Sequence, residues 1–87
     1  MAYIRSISPD QGEVGDVFTA EVSGDGLTGT TGASLGAGIG ITRLKVVMDG
    51  LVTFKVTITQ DARPGPRDLE LDVSGVPSRL VNAFKVL

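Results

Sequence analysis

Glycine and proline interrupt this chain so often that its longest uninterrupted stretch is residues 51–63. Between the interruptions, apolar and polar residues alternate with a period of two, which is the pattern of a strand with one buried face. Residue types that favour strands are abundant, since Val, Ile and Thr together account for 24 of the 87 residues. The chain is therefore predicted to be all-β, with no helix.

Seven segments carry this alternation and are predicted as strands: residues 3–8, 17–23, 33–35, 39–48, 51–60, 67–74 and 78–87. Asp49 and Gly50 form a hairpin signal, and an extra, bulged residue is expected beside it to keep Leu44, Val46 and Met48 facing inward. A second tight hairpin is predicted over residues 74–77. Residues 61–66 contain two prolines and are predicted to be neither strand nor helix. Seven short strands bury one face each if two sheets pack together, which indicates a β-sandwich.

The inward positions of these strands define a single predicted core for one domain spanning residues 1–87. On the clearest strand, Val52, Phe54, Val56 and Ile58 share one face. The complete predicted core is Ile4, Ile7, Phe18, Ala20, Val22, Leu44, Val46, Phe54, Val56, Ile58, Leu69, Leu71, Val73, Phe84 and Val86.

Composition excludes several kinds of chemistry. The chain has no Cys and no His, so it has no disulfide, no thiolate or imidazole metal ligand and no Ser–His relay. Its net charge is −2 and no basic block is present, so no nucleic-acid partner is expected. No apolar run reaches the ~18–20 residues of a membrane span, so no membrane insertion is expected. We expect no enzymatic activity and no cofactor.

The order of the turn signals resembles the IPT/TIG family of immunoglobulin-like domains. The opening motif consists of Ile4, Ile7, Pro9, Gly12 and Gly15, and it is followed by a strand and then by Gly24, Gly26 and Leu27. Residues 40–47 and 51–58 are similar to the middle strands of the family. Residues 62–65, followed by 68–73, resemble its corner motif, and residues 82–86 resemble its last strand.

The resemblance implies an immunoglobulin-like β-sandwich of about seven strands in two antiparallel sheets. It also implies a non-catalytic module of a larger protein, acting as a structural spacer and protein–protein interaction domain of a bacterial cell-surface or secreted protein. Two departures from the family are present: Leu27 stands where an aromatic residue is more common, and the loop at residues 10–16 is acidic. The acidic loop argues against the DNA binding of some family members.

Acidic and glycine-rich patterns supply further candidate sites. The stripe of Asp68, Glu70 and Asp72 could supply oxygen ligands to Ca²⁺, but residues two apart on a strand lie ~6.6–7 Å apart. It is interpreted as a solvated strand face, with Asp72 paired to Arg79 across the hairpin. Three further acidic residues, Asp10, Glu13 and Asp16, are interpreted as a capped surface turn. Three glycines that are followed by a strand, Gly36, Gly38 and Gly40, are interpreted as a loop or bulge.

Apolar residues outside the inward positions mark a possible interaction surface. Val47, Val81 and Leu87 fall out of phase with the buried faces, and Tyr3 is the one aromatic residue without a core position. We expect Tyr3, Val47 and Val81 to contact a neighbouring domain of the same polypeptide or a protein partner, with the isolated domain monomeric. The alternative is a carbohydrate-binding accessory domain of a polysaccharide-active enzyme, which would depend on Tyr3 alone.

Overall fold

The computed structural model describes residues 2–87. Over these residues the chain forms β1 (Tyr3–Ser8), β2 (Gln11–Gly12), β3 (Val17–Asp25), β4 (Thr30–Ser34), β5 (Ile39–Met48), β6 (Leu51–Ile58), β7 (Gly65–Val73) and β8 (Val76–Val86). No helix occurs within residues 2–87, which confirms the all-β prediction. It follows that this part of the chain has no helix suited to crossing a membrane.

The eight described strands form two four-stranded sheets. The first sheet has the order β1-β3-β6-β5 and the second has the order β2-β8-β7-β4. If β2 is set aside and the other seven strands are lettered A to G along the chain, these orders match the ABED and GFC sheets of a constant-type immunoglobulin domain. The short strand β2 extends the second sheet at its edge, beside β8. The predicted immunoglobulin-like sandwich is therefore confirmed.

The strand β2 was not predicted from the sequence. After Pro9 the chain passes from the first sheet to the second, where Gln11 pairs with Lys85 and Gly12 pairs with Val86 in parallel. The second sheet is thus not wholly antiparallel. Two residues are too few to show a period of two, so this strand leaves no alternation in the sequence.

The hairpin between β5 and β6 contains the predicted bulge. Met48 pairs with Leu51 across the two-residue turn, and the register shifts between Val46 and Met48. The bulge places Met48 in solvent, with 61% of its surface exposed, so its predicted inward position is wrong. One extra residue reverses the side to which every later side chain in the strand points.

The hairpin between β7 and β8 turns at Ser74 and Gly75, both with positive φ. The predicted hairpin is confirmed, but β8 begins at Val76, two residues before its predicted start. The strand β7 begins at Gly65, within the segment of residues 61–66 that was predicted to contain no strand. Pro66 is tolerated there because, within residues 2–87, β4 pairs with β7 only over residues 70–73, which leaves one side of β7 unpaired at Pro66.

The cross-strand pairs of this hairpin differ from the prediction. Asp72 lies opposite Pro77, and Arg79 lies opposite Glu70, so the expected pairing of Asp72 with Arg79 is wrong. Arg79 instead donates a 2.8 Å hydrogen bond to the carboxylate of Glu70. The last strand was predicted to begin at residue 78, whereas β8 begins at Val76, and this difference shifts the cross-strand register by two residues.

Most of the predicted core lies buried between the two sheets. Phe18, Leu44 and Val46 are only half-buried and pack against its margin. Three residues outside the observed strands are also buried, and none of them was assigned to the core: Leu27, Leu35 and Ala62. They lie in the connections between strands, where the chain folds back over the open ends of the sandwich.

Candidate interaction surface

The three residues predicted to form an interaction surface do not lie in one patch. Tyr3 belongs to β1 and Val47 to β5, the two edge strands of the first sheet, with β3 and β6 between them. Three strand spacings separate these edges by roughly 14 Å. Val81 lies in β8 of the second sheet and is 65% exposed. All three side chains are exposed, but the structure does not bring them together.

Three connections meet at the end of the sandwich where Tyr3 lies, and we call this the loop end: residues 26–29, 49–50 and 74–75. The amide of Leu27 donates a 2.9 Å hydrogen bond to the carbonyl of Asp49. The amide of Ser74 donates a hydrogen bond of the same length to the carbonyl of Gly29. Backbone hydrogen bonds therefore join all three connections.

The carboxylate of Asp49 strengthens this arrangement. It accepts hydrogen bonds from the hydroxyl of Thr28 at 2.7 Å and from the amide of Gly26 at 3.0 Å. The Thr28 hydroxyl, followed by the Gly26 amide, lowers the pKa of Asp49 below its ordinary value of 3.8. From the sequence, Asp49 was predicted only as a turn residue, because its partners lie more than 20 positions away.

The charge of Asp49 is expected to stabilise the fold to its full extent only above the ordinary aspartate pKa. Because the folded-state pKa is lowered, the contribution is complete well above pH 3.8 and is lost as the pH falls through the folded value. Thermal unfolding of the wild type and of Asp49→Asn should therefore differ at pH 7 and converge at acidic pH. In this variant an NH₂ group replaces one carboxylate oxygen, and it donates hydrogen bonds but cannot accept them. It would lie beside the N–H of Gly26 and the hydroxyl of Thr28, which donate to the carboxylate in the wild type.

The matched control for this experiment is Asp72→Asn, since the Asp72 carboxylate accepts no hydrogen bond from residues 2–87. It should change the unfolding temperature little at any pH. A constant difference between wild type and Asp49→Asn from pH 7 to acidic pH would refute the role of the charge.

The position of Tyr3 depends on a close approach of two backbones. Gly24 in β3 lies opposite Ile4 in β1. A Cβ atom at Gly24 would collide with the backbone carbonyl oxygen of Tyr3. Only glycine allows β1 to pack this tightly, and the exposed ring of Tyr3 is held at the loop end as a result.

A groove of about 610 Å³ lies beside these residues at the loop end. It is lined by Ala2, Gly26, Val73, Ser74, Val76, Pro77 and Ser78. Val76 is 65% exposed, although the sequence assigned it to a turn and not to a surface. The sequence indicated this exposure only indirectly: the predicted hairpin over residues 74–77 places Val76 beside its tip, where no other strand covers it.

A second groove of about 350 Å³ is lined by most of the charged residues of β7 and β8, namely Arg67, Asp68, Glu70 and Arg79. Within it, the guanidinium of Arg67 donates hydrogen bonds to the carbonyls of Ala37 at 2.5 Å and Arg63 at 3.0 Å. Arg67 thus fastens two connections to the sheet. The hydrogen bond to Glu70 and the charge of that residue raise the pKa of Arg79.

The acidic stripe of β7 has separate partners for two of its three carboxylates. Glu70 accepts the hydrogen bond from Arg79, and Asp68 accepts a 2.9 Å hydrogen bond from the backbone N–H of Asn82. Asn82 has a positive φ and lies in a bulge of β8, which explains a polar residue in that register. Within residues 2–87 no three acidic side chains are grouped so that they could hold a metal ion.

The remaining acidic and glycine-rich patterns are turns. The carboxylate of Asp16 accepts a 2.9 Å hydrogen bond from the amide of Glu13, which is the predicted capped turn. Gly36 and Gly38 have positive φ and lead directly into β5, as expected of a loop before a strand. Gly40 lies within β5, where it pairs with Thr57, so its assignment to the loop is wrong.

Comparison with protein-family models found no match, and no curated protein matches the chain.

Proposed function

We propose that this chain is a non-catalytic immunoglobulin-like module of the IPT/TIG type. Its role is to hold neighbouring parts of a larger protein at a fixed separation and to contact a protein partner. The larger protein is a bacterial cell-surface or secreted protein. The motif order in the sequence and the two-sheet topology together support this assignment, because Pro9, Gly15 and Gly26 lie in the connections between strands and residues 51–58 coincide with β6.

One observation carries the spacer role: the two ends of the described chain lie at opposite ends of an elongated body. Ala2 lines the groove at the loop end, whereas the amide of Leu87 donates a hydrogen bond to the carbonyl of Gly12 at the other end. The body measures 34 × 22 × 20 Å. If the polypeptide continues on both sides, its two continuations would leave the sandwich at points separated by about the length of its long axis.

The hydrogen bonds of Asp49, Leu27 and Ser74 support the same role. A spacer transmits orientation only if the surface that meets its neighbour is rigid, and these bonds join all three connections of the loop end. Exposed apolar side chains at this end supply contact area for a neighbour.

The carbohydrate-binding alternative has weaker support. Sugar-binding surfaces depend on exposed aromatic rings. Phe54 and Phe84 are buried, and the ring of Phe18 stacks on that of Phe84 at 6.0 Å. Tyr3 alone is left, with no second ring beside it. A catalytic role lacks support for a similar reason, since the acidic residues that the sequence offers occupy capped turns and cross-strand pairs.

Fractionation of source cells tests the proposal. A blot with an antibody raised against this domain is expected to show a band much heavier than 9.0 kDa, in the envelope or in the medium. A soluble intracellular band of about the mass of this chain would contradict the spacer role, because a lone domain has no neighbours to separate.

A further inference from the structure

The edge strand β5 exposes two cations followed by two apolar side chains, and we call these four residues the β5 strip: Arg43, Lys45, Val47 and Met48. Val47 is 44% exposed, and Arg43 and Lys45 are also exposed. The strip lies on the free edge of the first sheet, since within residues 2–87 β5 pairs only with β6.

Two bulges in β5 create this strip. The register against β6 shifts once between Thr42 and Lys45, and again between Val46 and Met48. Arg43, within the first bulge, has a φ of 56°, which a long side chain rarely adopts. Bulges of this kind turn side chains in a new direction and are enriched beside functional sites. Here each bulge brings an additional side chain to the exposed edge.

The strands of the first sheet form the basic side of an acidic chain. They hold four cations and two acids, although the whole chain carries −2; the cations are Arg5, Arg43, Lys45 and Lys55, and the acids are Glu21 and Asp25. Within residues 2–87 the ion pairs are Arg5 with Asp25 and Arg79 with Glu70. Both cations of the β5 strip therefore lack an acidic partner in the described part of the chain.

We propose that the β5 strip binds an extended acidic protein segment, which adds to the first sheet as a further strand. This inference rests on the proposed role as an interaction module and names the chemistry of the partner. Carboxylates of the segment pair with Arg43 and Lys45, its apolar side chains pack on Val47 and Met48, and its backbone meets the free edge. A peptide fits better than another polyanion, because only a peptide offers backbone donors and acceptors together with apolar side chains.

The probe is a synthetic hexapeptide with the order Asp-Leu-Glu-Leu-Asp-Val, blocked at both ends, which alternates acidic and apolar residues as β7 does. Titrated into the isotopically labelled 87-residue chain, it should shift amide resonances along residues 39–48. The variant carrying Arg43→Gln and Lys45→Gln should bind about tenfold more weakly, since two cationic contacts are lost. Added salt should weaken binding to the wild type.

The control variant carries Arg79→Gln and Lys85→Gln, which removes the same charge from the second sheet. It should bind the peptide as the wild type does. A Lys-Leu-Lys-Leu-Lys-Val peptide should not bind.

Two results would overturn the proposal. One is the absence of shifts along residues 39–48 at about 1 mM acidic peptide, a concentration that reveals even weak binding. The other is unchanged peptide affinity in the variant carrying Arg43→Gln and Lys45→Gln, because the two cations would then not contact the peptide. New self-association of that variant would show that they serve to protect a sheet edge instead. Neither result touches the spacer role, which the cell fractionation tests separately.

Discussion

Replacing Phe84 with alanine should destabilise the domain by about 3–5 kcal/mol, because it empties the centre of the core. The Phe84 side chain is 1% exposed, and its ring stacks on that of Phe18. Few neighbours can move into the space, since both sheets are fixed by their hydrogen bonds. The loss is comparable with half the total stability of a small domain, which is ~5–15 kcal/mol.

Equilibrium denaturation in urea measures this change directly. Val81→Ala is the matched control, because Val81 lies in the same strand and is exposed; its effect should stay within about 0.5 kcal/mol. A loss below about 1 kcal/mol for Phe84→Ala would show that the two sheets do not pack around this ring as described.

Replacing Gly38 with alanine should cost about 2–4 kcal/mol, through two separate effects. Gly38 has a φ of 80°, which strains any residue with a side chain. The new Cβ would also lie 2.6 Å from the Cα of Ala62, a backbone atom that cannot rotate away. The Gly38 carbonyl accepts hydrogen bonds from the amide and the hydroxyl of Thr59, so the loop cannot withdraw without losing them.

Gly75→Ala separates these two effects. Gly75 has a φ of 84°, yet a Cβ there would meet nothing within 4 Å. Its cost should be about 1–2 kcal/mol, from backbone strain alone. Equal losses for the two variants in the same urea titration would mean that the contact between residues 38 and 62 contributes nothing.

Under the proposed spacer role, Phe84→Ala and Gly38→Ala would also impair function, because a spacer must keep its shape. Gly38 and Ala62 belong to the two connections that Arg67 fastens to β7, at the end opposite the loop end. If this end loosened, the β5 strip would remain, but the proposed role of fixing the direction of a neighbouring part of the polypeptide would be lost. Stability and orientation therefore depend on the same few contacts.

The candidate surface was only partly predictable from the sequence. Alternation along β5 correctly placed Arg43, Lys45 and Val47 outward, since residues 43–47 keep a period of two between the two register shifts, with Leu44 and Val46 half-buried. Met48 was misplaced because the bulge reverses the pattern after Val47. The role of Asp49 was not predicted, since its carboxylate acts on a loop that the fold brings close from distant positions.

The sequence alone determined the all-β class, the approximate strands, most of the core and the position of the hairpins. Alternation of apolar residues and the placing of glycine and proline act over a few residues, so they can be recognised locally. The tertiary structure decided the strand order, the parallel pair formed by β2, the cross-strand partner of Arg79 and the burial of Leu27, Leu35 and Ala62. Each of these depends on segments far apart in the chain, whose approach is set by packing between the sheets.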